Sequence, residues 1–284
     1  MNAATTIPSL PLNDGRSIPQ LGFGTWLVEQ PDAARVVGEA LEAGYRHVDT
    51  AQMYGNEKGV GDAIQHSGLN RGAIFLTSKL SNDNHEPDAA RRSFDQSLKD
   101  LRTDYVDLFL IHWPLPMRYG GDFVSTWQVL EEFQKEGRAK SIGVSNFRPQ
   151  DLDKLAAECE VTPAVNQIEA HPFFPNDAVR EDGRRRGLLI QAWSPLARAG
   201  DLLDDAAVTA IAAEVNRTPA QIVLRWHLQR GDVIFPKSSH SERMRENLAL
   251  FDFALSDDQM ATLTALDKSE PGRVGPNPDT FAGW

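Results

Sequence analysis

Four polar side chains in this 284-residue chain, Asp49, Tyr54, Lys79 and His112, are of types that together can hand a proton to an oxygen. Asp49 and Tyr54 lie in RHVDTAQMYGNEKGVG, residues 46–61, where an apolar strand gives way to a loop. A phenol with an ordinary pKa of about 10 is a poor donor at neutral pH unless a nearby cation stabilises its phenolate. Lys79 would be that cation, Asp49 would keep it charged and oriented, and His112 would hydrogen-bond the same substrate oxygen. Such a set suits an oxygen becoming an alkoxide and places no side chain as a nucleophile, so carbonyl reduction by hydride is the matching reaction. Each residue also has an ordinary structural reading. Asp and Gly form turns, Tyr packs its ring at a core edge, Lys79 suits a solvated strand end, and His112 suits a core position bonded to a backbone carbonyl.

What separates these readings is where the four residues fall. Short apolar runs alternate with amphipathic stretches along the chain, the pattern of βα units around a parallel sheet. The strand candidates are QLGFGT, HVDTA, IFLTSK, VDLFLIHW, KSIGVSN, AVNQIEA, LLIQAWS and DVIFPKS, eight in all, with helical stretches such as DAARVVGEALEAG and PDAARRSFDQSLKDL between them. The fold expected is α/β, a (β/α)8 TIM barrel forming one domain over residues 1–284. An N-terminal β-hairpin is expected over about 8–20, turning at Asn13-Asp14-Gly15, and a Pro- and Gly-rich C-terminal loop over about 271–284. DAAVTAIAAEVN and SDDQMATLTALDK have no strand of their own and read as two extra helices in the outer ring. The rival doubly wound sheet would carry G-x-G-x-x-G after a strand, and none occurs. In a barrel the chemistry collects at the C-terminal strand ends. The second, third and fourth strands end near Asp49, Lys79 and His112, with Tyr54 just beyond the second. Neighbouring strands lie about 4.8 Å apart, so the four side chains can converge.

Composition narrows the function classes. A chain 41% hydrophobic and 24% charged is globular, and no apolar run approaches the roughly 20 residues of a membrane helix. A net charge of −11 argues against a nucleic-acid surface. The basic cluster GRRRG at 183–187 reads as a solvated helix end. MNAATTIPSLPL lacks the basic and apolar regions of a secretory signal, and the single Cys159 can form no internal disulfide. These features lead us to expect a cytoplasmic protein, a monomer, with a small-molecule partner and no metal.

DTAQMYGNE, SKL, IHWP, IGVSNF, NQIEAHP and PKSSHSERMRENL resemble, in order, the motifs of the aldo-keto reductase family, from about Ile7 to the C-terminus. The resemblance implies Asp49, Tyr54, Lys79 and His112 as a catalytic tetrad, with Tyr54 the general acid, and NADPH as cofactor. It places Ser145, Asn146 and Gln167 on the nicotinamide carboxamide, with Gly24, Thr25 and Trp26 bordering the ring. Ser194 and Leu196 line the pyrophosphate channel in this reading, and Phe235 joins the cofactor set. Trp193 would stack on the nicotinamide. Most relatives have Tyr there, and Trp resembles a compact bacterial branch that includes diketogluconate reductases. Lys237, Ser238, Ser239, Arg243 and Asn247 would meet a phosphate on the adenosine ribose; Arg243 and Asn247, four apart, share a helix face. Trp26, Met53, Tyr54, His112, Trp113 and the tail near Phe281 would form the mouth for small or medium aldehydes and ketones. Two other functions stay open on the residues alone. One is an NADPH-binding redox sensor or interaction subunit on the same barrel. The other is a metal-dependent hydrolase using His47 and Asp49, two apart on one strand face, with His112 and His171.

Overall fold

The computed structural model describes residues 7–283; the expected signal-free N-terminal stretch before Ile7 and the last residue of the expected C-terminal loop, Trp284, lie outside the described residues. Eight parallel strands form one sheet in chain order: β3 (Phe23–Gly24), β4 (His47–Asp49), β5 (Phe75–Leu80), β6 (Val106–Ile111), β7 (Ala139–Ser145), β8 (Val165–Glu169), β9 (Leu189–Trp193) and β10 (Val233–Ile234). The last strand returns to the first. Gly22 N–H donates to Ile234 O at 2.9 Å and Ile234 N–H to Gln20 O at 3.1 Å, around a parallel bridge between Leu21 and Ile234. The expected strands QLGFGT and DVIFPKS shrink to two residues each at this seam. Pro236 offers no N–H to prolong the ladder. A side chain at Gly24 would put its Cβ 2.7 Å from the Phe235 carbonyl, so only glycine allows the approach.

β1 (Ser9–Pro11) and β2 (Ser17–Pro19) pair antiparallel around Gly15, whose φ of 84° is the left-handed conformation such a turn needs. The hairpin stoppers the N-terminal mouth of the barrel. Leu12 and Ile18 pack with Leu108, Val165 and Val233, near or at the starts of their strands, while Asn13 donates to Pro163 O and Asp14 accepts from Ser141.

Helices α1 (Gln30–Ala43), α2 (Glu57–His66), α3 (Pro87–Asp100), α4 (Val124–Lys135), α5 (Pro149–Glu158) and α6 (Asp177–Arg185) fill the expected connections. α7 (Ala206–Glu214) and α8 (Pro219–Gln229) precede β10, and α9 (Ser241–Leu248) and α10 (Asp257–Thr264) follow it. Pro in the first turn starts α1, α3, α5 and α8, where its missing N–H costs no hydrogen bond. The two expected extra helices are α7 and α10; Val208, Ile211 and Leu263 pack with Ile222 and Trp226 of α8 in a separate apolar cluster outside the barrel.

One buried polar cluster had no counterpart in the sequence reading. Arg180 on α6 grips both carboxylate oxygens of Asp232, and His227 Nδ1 meets Asp232 Oδ2 at 2.9 Å. His227 Nε2 lies 3.2 Å from the carbonyl of Pro195, in the loop after β9.

Candidate active site

Asp49, Lys79 and His112 lie on or just beyond the ends of β4, β5 and β6, and Tyr54 lies in the turn after β4. That turn, a single 3-10 turn over Gln52–Tyr54, is closed by Gly55 at φ 65° and pinned from three sides. Asn56 accepts from Thr50 Oγ1 and donates to the carbonyls of Thr25 and Val28. Gln52 accepts from Ser81 N–H and donates to Ser97, which in turn donates to buried Glu57. The local sequence TAQMYGNE thus builds a rigid perch for one phenol.

Lys79 is fully buried, and its ammonium has a partner for each of its three hydrogens. Nζ donates to Asp49 Oδ1 at 2.5 Å, to Thr50 O at 3.0 Å and to the Tyr54 hydroxyl at 3.3 Å. The other oxygen of Asp49 accepts from Gln167 Nε2 at 2.9 Å. The Tyr54 and His112 rings meet edge to face at 5.7 Å. All four side chains are therefore together, and Tyr54 and His112 face a cleft of about 470 Å3 at the C-terminal end of the barrel.

Burial and charge set the protonation states. Burial pulls the Lys79 ammonium down, but Asp49 and Tyr54 carry it above its ordinary value. Tyr54 moves up as well: burial raises it, and Lys79 pulls the other way without reversing the shift. The sequence argument made Lys79 acidify the phenol; in this structure the loss of water outweighs the cation, and the phenol holds its proton. His112 lies well below its ordinary pKa, through burial and then the charge of Lys79 and the proximity of His85. A neutral ring with one N–H follows.

The residues assigned to the cofactor divide into two groups. Gly24, Trp26, Asn146, Gln167, Trp193, Ser194, Leu196, Phe235 and Lys237 line the cleft. Thr25 does not; it is buried, with its hydroxyl near Asp49 O and Asn56 Oδ1. Ser145 is buried behind Asn146 and donates to Gln167 O. Asn146, held at φ 65°, accepts from Trp193 Nε1 at 2.8 Å and donates to His112 O, so the indole is tied to the backbone of His112. Ser238, Ser239, Arg243 and Asn247 lie outside the cleft wall, before and along α9. Lys237 and Arg243 pair with no carboxylate among the described residues.

Met53 and Trp113 also line the cleft, and Phe281 packs on Trp113 with centroids 4.4 Å apart. Sequence reasoning missed Arg198. The residues 197–199 all have positive φ without a glycine, and this loop sets the Arg198 guanidinium 5.1 Å from the exposed Trp26 ring across the cleft. No residue-type signal marks such a loop. The histidines of the metal reading have other partners: His47 meets Thr77 Oγ1 and Pro19 O, and His171 meets Glu169. Among the described residues no group of three His, Cys, Asp or Glu side chains is gathered to hold a metal ion.

The sequence matches the model described as "Aldo/keto reductase family" over residues 20–268. An aldo-keto reductase of Mycolicibacterium smegmatis is 45% identical over 274 residues, 96% of this chain and 98% of that protein. Methylglyoxal reductase DkgA of Escherichia coli is 41% identical over 273 residues, 96% of this chain and 97% of the relative. A solved structure of a Gox0644 mutant in complex with NADPH aligns with a TM-score of 0.92 at 41% identity, covering 97% of this chain and 99% of that one.

Proposed function

Since the chain belongs to the aldo/keto reductase family and is an NADPH-dependent carbonyl reductase, we propose that Tyr54 is its general acid. The phenol donates its proton to the carbonyl oxygen as that oxygen gains charge, and Lys79, 3.3 Å away, stabilises the phenolate left behind. Asp49 keeps Lys79 charged inside a site that would otherwise strip its proton, and Gln167 holds Asp49 in place. His112, neutral, offers its N–H to the same oxygen and fixes the carbonyl's direction. NADPH, when bound, supplies the hydride.

The side chains present fit that cofactor. Trp193, tied to Asn146, offers an indole face at the cleft, and a side chain at Gly24 would collide with the strand beside it. Lys237 and Arg243 bring positive charge to the start of an eight-residue helix in a chain of net charge −11, a setting suited to a ribose phosphate. The single observation that carries the reading is the saturation of the Lys79 ammonium by Asp49, Thr50 O and Tyr54. It explains a fully buried lysine that is still charged. We take methylglyoxal, named for the Escherichia coli relative, as the first carbonyl to try. The decay of NADPH absorbance with methylglyoxal and a panel of aldehydes tests the proposal; stoichiometric NADPH binding with no consumption across the panel would favour the redox-sensor alternative. The tetrad lies within one chain, so we also infer a monomer complete for catalysis, which gel filtration under assay conditions checks. The lone, partly buried Cys159 accords with a cytoplasmic setting, which fractionation of cells tests.

A further inference from the structure

Glu169, the last residue of β8, is a buried carboxylate at the functional rim that takes no part in the proposed tetrad or cofactor contacts. Its oxygens face the C-terminal tail. Oε1 accepts from Val274 N–H at 2.5 Å and meets His171 Nε2 at 3.1 Å, and Oε2 accepts from Gly275 N–H at 2.9 Å. Two successive backbone N–H groups on one carboxylate form a charge-assisted clasp. The tail is also pressed close at this point. A Cβ on Gly275 would run into the Trp193 indole and come within 2.8 Å of Glu169 Oε2.

Beyond the clasp the tail has no strand or helix through Gly283, so point contacts set its path. Pro276 borders the cleft, Asp279 pairs with Arg148, and Phe281 packs on Trp113. The clasp joins the tail to β8, the strand next to Trp193. We propose that Glu169 is a specificity-determining positioning residue. Its carboxylate fixes the tail across the cleft and holds Gly275 against Trp193, so that carbonyl selection depends on a side chain that touches no carbonyl. The proposal rests on the reading of this cleft as the carbonyl site.

The test compares the intact enzyme with Glu169→Ala, Glu169→Gln and Gly275→Ala by amide hydrogen exchange over residues 274–283 and by steady-state kinetics with methylglyoxal and a bulky aryl aldehyde. Losing hydrogen bonds to a charged group should speed exchange of the tail in Glu169→Ala by about tenfold or more. The KM for the aryl aldehyde should change by about fivefold or more, with kcat and the methylglyoxal KM within about twofold. Glu169→Gln keeps one acceptor oxygen but turns an NH2 toward one of the two backbone N–H groups, so it should fall between the wild type and Glu169→Ala in both readouts. Gly275→Ala should reproduce the exchange change, and it decides the matter if Glu169→Ala does not fold. Wild-type exchange in both variants, or equal loss of kcat on both aldehydes with KM unmoved, would overturn the proposal. Exchange needs no turnover, so a wild-type chain that reduced no carbonyl would count against the reductase reading while exchange still judged the clasp.

Discussion

Two buried charge clusters in this barrel use similar parts for opposite ends. At one, the Lys79 ammonium meets Asp49 and Tyr54; at the other, the Arg180 guanidinium meets Asp232 and His227. Both cations are almost fully enclosed and both carboxylates are hydrogen-bonded twice over. The difference lies in the third member. Tyr54 opens onto the cleft and can give up a proton, whereas His227 points at a backbone carbonyl behind the loop after β9. A buried ion pair therefore marks a reaction centre only where one of its partners reaches substrate. Elsewhere the same chemistry fixes geometry, here by connecting α6, α8 and β10 to the loop that lines the cleft.

The comparison can be broken by exchanging the expected losses. Tyr54→Phe removes one oxygen and should lower kcat/KM by about a thousandfold, within the usual range for a general acid, with NADPH affinity changed less than about twofold. Equal loss of cofactor binding would remove Tyr54 from its assigned role. Asp232→Asn should do the reverse. It leaves Arg180 with only the half-exposed Asp177, 3.5 Å away, as counter-charge and should cost about 3 kcal/mol of stability by denaturant unfolding, while the folded fraction keeps its kcat. A stable but inactive variant would erase the distinction between the two clusters. A smaller effect is expected at Arg243→Ala: about tenfold weaker NADPH and less than about twofold weaker NADH by fluorescence titration, the loss of one charge-assisted phosphate contact. Equal weakening of both would move the ribose phosphate elsewhere.

Acidity separates the clusters further. His112 is held well below its ordinary pKa, and Lys79 and Tyr54 above theirs, so the groups assigned to the reaction keep one protonation state across neutral pH. The kcat profile should be flat there and fall only on the alkaline side. Stability behaves differently. His47, buried and drawn down to about 3, refuses a proton that the unfolded chain accepts below about 6.5, so stability declines as pH falls through that window. Asp232, held below the usual carboxylate range by Arg180 and His227 against the cost of burial, adds a loss once pH drops below about 4. Melting temperatures at pH 7, 5 and 4, set beside kcat, would show melting falling first.

The barrel and the convergence of Asp49, Tyr54, Lys79 and His112 were legible because both follow from the strand pattern. Apolar runs recur at strand spacing, and Asp49, Lys79 and His112 each stand at the end of one, on consecutive strands. The Arg180–Asp232 pair was not legible, because 52 residues separate its halves and neither lies in a motif. Arg180 even sits beside GRRRG, which drew attention to the exposed arginines instead. The sign of the Tyr54 shift depended on burial, which residue types do not report. Gln167 was read as a cofactor contact from its strand position and the family resemblance; its bonds to Asp49 and Gln191 depend on strand register. Arg198 depends on a loop whose backbone angles no side chain announces.

The hairpin under the barrel has a meaning for access. With Leu12 and Ile18 packed into the far mouth, the vessel is blind at its base. Reagents and products therefore meet the chain at the opposite rim, where Tyr54, His112 and Trp193 line the cleft.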